Sequence, residues 1–244
     1  MSKENCWKNF LTEDAFKYAK YRVDNRQERE TIESDRLFNN LLSSQPMAFN
    51  LFCPLRQMLE ESPEAATNVI KTALPKHPIH RVTKIDLEFI PENYKMLTGD
   101  KSAMDAIIEF KDKDGKDGKD GFIAIETKYS ANLGSNAAYG IEENGNKRSR
   151  VQSIEAIKEL KCFTPDVEKS IMKGTTPLTQ IYRNFFLSEM YGHKDGLLSY
   201  SIILAPKDYP STNREVESLT NGLCEEYKNN IHRKRKVRGG SRSD

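Results

Sequence analysis

The sequence predicts an α/β fold, a mixed central sheet flanked by helices, in one domain of 244 residues. Three observations predict it. Helical periodicity fills the first 75 residues, three strand-like segments follow between 81 and 129, and a strong helix leads into a fourth strand after them. The expected organisation is N-terminal helices over 1–75, a core over about 80–206, and a polar helix with a basic tail over 207–244. No internal repeat or convincing domain boundary interrupts it.

Residues 12–43 read as helix: Thr12 suits a cap, Ala15, Phe16, Ala19 and Val23 recur at helical spacing, and Leu37, Phe38, Leu41 and Leu42 form a later face. Ser44 is the expected cap of the next helix, and Pro54 is expected to kink or end it. Ser62-Pro63-Glu64 opens a further helix to about Leu74. The run 81–90 alternates cleanly from Ile85 onward, which predicts a half-exposed strand with Asp86 and Glu88 on its solvent face. Met104–Phe110 and Phe122–Tyr129 are the second and third strands. The glycines and aspartates between them, 111–121, predict a solvated hairpin loop. A calcium loop starting at Asp112 fails, because Lys116 and Asp117 stand at its fifth and sixth positions and Ile123 at its twelfth.

Beyond 130 the chain is rich in Asn, Gly and Ser, with a short helix expected around Gln152–Leu160. A stronger helix is expected over Leu178–Tyr191, with Gly192 and Gly196 bracketing the turn into a strand at Ser199–Ala205. A polar helix over about Asn213–Asn229 and a basic tail from His232 to Arg238 follow, with no clear fifth strand.

Composition narrows the function. A hydrophobic fraction of 37% and a mean hydropathy of −0.71 describe a polar, soluble protein, and no apolar run approaches membrane-spanning length. The N-terminus lacks a signal-peptide apolar region and the cysteines show no CxxC spacing, so the expectation is a cytoplasmic protein without structural zinc or disulfides. The net charge is only +2, yet positive charge gathers in the tail and in Lys147-Arg148-Ser149-Arg150. Such clusters are solvated faces unless a site nearby uses them for phosphate contact.

The chemistry concentrates in FIAIETKYS, residues 122–130. Alternation puts Glu126 and Lys128 on one strand face, and a hairpin sets Asp105 beside Glu126. Two carboxylates in a partly dry site repel unless a cation lies between them, and an oxygen-only set suits Mg²⁺ or Mn²⁺. A lysine two residues on is placed to orient or deprotonate a water, or to stabilise charge on a phosphate. Alone, Glu-x-Lys is a common surface ion pair of little energetic value.

With Asp105 in MDAIIEF and Glu126 and Lys128 in IAIETKYS, the sequence resembles the PD-(D/E)XK nuclease superfamily. LLSSQPMAFNLFCPL (41–55) and TQIYRNFFLSEMY (179–191) look like one branch of it, so the resemblance spans roughly 30–206. It implies a restriction-endonuclease-like core. It also implies a metal-dependent nuclease acting on phosphodiesters, on DNA in the first instance, with Mg²⁺ or Mn²⁺ as cofactor. Asp105 and Glu126 would bind the metal, with the backbone carbonyl of Thr127 as third ligand. Lys128 would act on the water, Gln180 would support the lysine or substrate, and Arg183 would meet a phosphate. Lys147, Arg148 and Arg150 are further nucleic-acid contacts, and a homodimer would suit the cutting of two strands.

The motif's proline is replaced by Met104. Asp100, Asp86 and Glu88 compete as ligands, and Glu30 and Glu33 are the candidates for an added helix glutamate. Two other classes remain open: a catalytically inactive nucleic-acid-binding or regulatory protein that keeps this fold, and a partner-binding protein whose Glu126 and Lys128 merely pair.

Overall fold

The computed structural model describes residues 7–27, 30–99, 101–113, 118–128, 147–173, 180–206 and 210–233. Four helices come first: α1 (Glu13–Asp24), α2 (Ser34–Asn39), α3 (Ser44–Glu61) and α4 (Pro63–Ala73). The expected single helix over 12–43 is therefore broken. Arg22 at the end of α1 bonds Glu30, Asp86 and the Leu87 carbonyl, and these tertiary partners outweigh the weak helix preference of the charged run behind it. Thr12 caps α1, accepting from the Ala15 amide. Ser43, one residue ahead of the expected cap, accepts from Gln45 at the start of α3. Pro54 lies inside α3 without ending it, because Phe52 and Cys53 beside it are anchored in the core.

β1 (Arg81–Phe89), α5 (Tyr94–Leu97), β2 (Met104–Lys111) and β3 (Asp120–Thr127) follow, then α6 (Lys147–Leu160), α7 (Pro165–Met172), α8 (Gln180–Asp195) and β4 (Leu198–Leu204). The chain closes with α9 (Pro210–Gly222), α10 (Glu225–Lys228) and β5 (Ile231–Arg233). The strands form one mixed sheet in the order β1-β2-β3-β4-β5. The first three are antiparallel neighbours, and β4 and β5 run parallel to β3.

Ends of the expected loop 111–121 join the ladder: Lys111 pairs with Asp120 in register and through a 2.6 Å ion pair. Gly121 is required there, since a Cβ would stand 2.6 Å from the Phe110 ring. Gly192 belongs to α8 rather than to the turn; a Cβ on it would meet that of Ser199 at 2.8 Å, so its smallness lets the helix lie close on β4. Gly196 makes the turn alone, at φ +65°. The polar helix expected over 213–229 breaks at Leu223, which bridges to Phe163. The expected tail begins as strand: β5 was illegible because its three residues gain order only from β4.

Side-chain alternation divides the core. Ala106, Ile108, Ile123 and Ile125 face α1, α3 and α4, whereas Ile107, Phe122 and Ala124 face α6 and α8. The site lies on the second face, where the C-terminal end of β3 meets the start of α8.

Candidate active site

Register gathers the carboxylates. β1 and β2 pair Leu87 with Ala106 and Phe89 with Met104, and β2 and β3 pair Ala106 with Ile125. Glu88, Asp105 and Glu126 therefore stand in one row across three adjacent strands. All three are buried, at 3%, 7% and 4% exposure. The solvent face expected for Glu88 is corrected by its backbone: at φ 49° the strand leaves its regular pleat, and Leu87 and Glu88 are buried in succession. Asp86 does keep a partly exposed position, 3.0 Å from Arg22.

Asp105 is held by the residue between the motif's two charges. Its Oδ2 accepts from the Thr127 amide and lies 2.6 Å from the Thr127 hydroxyl. That hydroxyl is also 3.3 Å from the Ser44 carbonyl, which ties α3 to the site. Glu126 has Lys128 Nζ against Oε1 and the Asn184 amide donating to Oε2. Burial, then the charge of Asp105, pushes its pKa up to about 7, against the pull of Lys128 and Asn184. β3 ends at Thr127, but the Lys128 amide continues the ladder by donating to the Leu204 carbonyl at 2.8 Å. The Lys128 ammonium donates to Gln180 Oε1 at 2.7 Å. Burial alone would lower the Lys128 pKa, yet Glu126 and Asp105 outweigh it and the net shift is upward. Lys128 is an ammonium at neutral pH.

These groups border a cavity of about 520 Å³, whose wall includes Asp105, Lys128, Gln180, Arg183, Glu88 and Gln45. Glu126 lies one layer deeper, beside Ala124, Asn184 and Ile203. Arg36 and Lys101 also face this cavity, so cations ring its acidic floor. Glu33 lines it too, 3.6 Å from Arg36. Glu30 is instead paired with Arg22 at 2.8 Å, outside that wall. Lys147, Arg148 and Arg150 open α6, but their side chains lie outside the described residues, as does Asp100.

The donor set fits a hard divalent cation. Among the described residues no three His, Cys, Asp or Glu side chains gather in a metal-holding group. What is present is the carboxylate pair Asp105 and Glu126, with Thr127 next to Glu126 in sequence and bonded to Asp105 through its amide and hydroxyl. Glu126 has an upshifted pKa, the signature of a buried anion short of positive charge. The Lys128 ammonium supplies part of that charge.

Sequence reasoning missed two neighbours, Asn184 and Gln45, and turned a third, the competing ligand Glu88, towards solvent. Asn184 lies one helical turn after Gln180, and its amide also reaches the Ala103 carbonyl at 3.3 Å. That spacing was the available signal. Gln45 hydrogen-bonds Glu88. The place of Glu88 beside Asp105 depends on the β1–β2 register, which a sequence alone does not supply.

A helix-flanked mixed sheet with Asp on one strand and Glu-x-Lys at the end of the next is a restriction-endonuclease-like fold. The family model described as the PD-(D/E)XK nuclease superfamily matches residues 1–234, and the chain belongs to that superfamily. No curated protein and no solved structure matches it. Membership identifies the general activity to expect as that of a nuclease, on a nucleic-acid substrate.

Proposed function

We propose that this chain is a metal-dependent nuclease that hydrolyses phosphodiester bonds in DNA, with Mg²⁺ or Mn²⁺ as its ion. The observation that carries the reading is that Asp105, Lys128 and Gln180 line one cavity, with Gln180 on the lysine and Glu126 paired with that lysine one layer beneath. Asp105, Glu126 and the Thr127 carbonyl would hold the ion. When bound, it would lower the pKa of a water and neutralise charge on the phosphate.

The chain's own groups do the rest. Thr127 fixes the Asp105 carboxylate through two 2.6 Å contacts, so that ligand is oriented before any ion arrives. Asn184 does the same for Glu126. Lys128, retained as ammonium by its two carboxylate neighbours, donates: it orients a water or the phosphate oxygen and is not itself the base. Gln180 aims that ammonium. Arg183, Arg36 and Lys101 on the cavity wall favour a polyanion. Lys147, Arg148 and Arg150 extend the same sign of charge at the start of α6.

The test is to incubate the chain with plasmid and single-stranded DNA, and with RNA, with and without each ion. Ion-dependent cleavage of DNA that Lys128→Ala slows by at least about 100-fold is expected. Absence of cleavage of every nucleic acid, or equal rates for Lys128→Ala and wild type, would refute the proposal. Binding of DNA with steep salt dependence but no cleavage would identify an inactive binding protein instead.

A further inference from the structure

We propose that Cys162 and Cys224 form a reversible disulfide, a redox-sensitive staple between the link after α6 and the start of α10; it goes beyond the nuclease reading and does not depend on it. Backbone pairing sets the two residues opposite each other. Phe163 bridges Leu223 in the antiparallel sense, with the Cys224 amide donating to the Cys162 carbonyl and the Thr164 amide to the Gly222 carbonyl, each at 2.8 Å. These bonds flank the Phe163–Leu223 pair, so Cys162 and Cys224 are the next pair along and their side chains leave the same face. Facing residues of that kind have Cα atoms about 5.5 Å apart. A disulfide spans roughly 4.4–6.8 Å between Cα atoms. Lys161, at φ 51°, makes the turn out of α6 that starts this pairing.

The side chains are near each other as well. Cys224 Sγ donates to the Phe163 carbonyl at 3.3 Å, so it reaches across to the segment that bears Cys162. Burial pushes the Cys162 thiol up, and charge on Glu189 and then on Cys224 adds to the rise. Tyr227 is raised by burial first and next by Cys162, with Cys224 also acting on it, while its hydroxyl donates to the Leu160 carbonyl at 2.9 Å. Both cysteines are free thiols. Cys53 packs in the core on the opposite face of the sheet, out of reach of either.

Facing strand residues hold their Cβ atoms about 4.5–5.5 Å apart, whereas the bond wants about 3.8 Å. The pair must therefore close by about 1 Å, which strains the bond and makes it easy to reduce. A bond of that kind follows the thiol poise of its surroundings and does not lock the fold. Exposure orders the steps, because Cys224 is partly exposed and Cys162 is fully buried. With glutathione disulfide as oxidant, the Cys224 thiolate attacks one of its sulfurs and a glutathione thiolate leaves. Cys162 then gives up its proton and attacks Cys224 Sγ, expelling the second glutathione. Two protein thiols are oxidised to one disulfide, and one glutathione disulfide is reduced to two thiols that take up the protons. The ring so closed carries α7, α8, β4 and α9, and with them Gln180 and Asn184.

The full-length chain is incubated with glutathione disulfide to completion, quenched with acid, denatured, alkylated and mapped by mass spectrometry. Loss of two thiols per chain and a linked Cys162–Cys224 peptide are expected. Both thiols should return in about ten-fold excess of reduced glutathione. Cys224→Ser should yield no linked peptide and leave Cys162 alkylated, with the far-ultraviolet circular dichroism unchanged; should that variant not fold, the wild-type map alone decides. An unchanged thiol count overturns the proposal. So does glutathione left on Cys224 beside an alkylated Cys162, or a link that joins either residue to Cys6 or Cys53. A Cys162–Cys224 bond that resists the reduced glutathione overturns its reversibility and with it the switch.

Discussion

Glu189→Gln is predicted to stabilise the protein in alkaline solution and hardly at all in acid. Glu189 sits on α8 at 3% exposure, beneath β4 and next to the turn that leads into β5. Its Oε2 accepts from Ser199 at 3.1 Å and Asn230 at 3.0 Å, while Oε1 has no hydrogen-bond partner. Burial raises its pKa from 4.5 to about 7, and the two hydrogen bonds only moderate that rise. A carboxyl that binds its proton more tightly when folded stabilises the fold while protonated. That contribution is lost as pH climbs from the unfolded value to the folded one, and is constant above it. The gap of about two and a half pH units, at ~1.4 kcal/mol each, makes the ionised carboxylate cost about 3 kcal/mol near pH 8. Gln is neutral throughout and keeps an oxygen for the Ser199 and Asn230 donors. Urea unfolding should therefore show a gain of about 3 kcal/mol near pH 8 and under about 1 kcal/mol near pH 5. In thermal melts near pH 8 the midpoint should rise by roughly 6–12 °C. A gain of equal size at both pH values, or a loss near pH 8, would refute the argument.

Glu126 carries a similar upward shift but faces Lys128, so its consequence is read in ion binding. A cation must displace the proton held with a pKa of about 7, so Mn²⁺ affinity should weaken by about ten-fold per pH unit below it and level off above it. Calorimetry in buffers of different ionisation enthalpy checks this, and a flat profile across that range would contradict it. Asn184→Leu removes the donor to Glu126 Oε2 in a buried place and should cost about 1–3 kcal/mol in urea unfolding. Because the same change pushes the Glu126 pKa further up, the pH at which cleavage reaches half its maximum should move upward; an unmoved pH profile would mean Asn184 only packs. Gly192→Ala forces a Cβ to 2.8 Å from that of Ser199, which should lower stability by about 1–3 kcal/mol through separation of α8 from β4. An unchanged melting temperature would show that α8 shifts at no cost.

Much of this architecture was legible because period-2 alternation with interleaved glycines marks a hairpin. Asp105 and Glu126 fell on one face for the same reason: in a hairpin with one buried face, a one-residue slip would turn every side chain to the other face. The side-chain placement of Lys128 followed from Glu126, two residues away. What remained hidden depended on contacts between distant segments. Arg22 ends α1 by reaching β1, Gln45 enters the cavity from the far side of the sheet, and Glu88 faces inward on a backbone turn that no residue type signals. Gly192 reads as punctuation in sequence and is a packing contact in space. The charged run at 232–238 reads as a tail, although its first two residues, with Ile231 before them, pair with β4. Roles for Gln180 and Arg183 followed from likeness to a family. The structure places Gln180 on the lysine and Arg183 on the cavity wall.

The edge strand β5 bears on how the protein can be shortened. Ile203 pairs with Glu126 on one side and with Arg233 on the other, so Arg233 is level with the deepest carboxylate, two strands across. Arg233 thus stands at the end of the sheet where Asp105 and Lys128 lie, and Lys234-Arg235-Lys236 follow it in sequence. A deletion meant to remove positive charge should stop after Arg233. One that starts four residues earlier, at Asn230, also cuts the Ser201–Asn230 backbone bond and strips Glu189 of a donor. Its failure would report an unzipped sheet rather than a lost grip on nucleic acid.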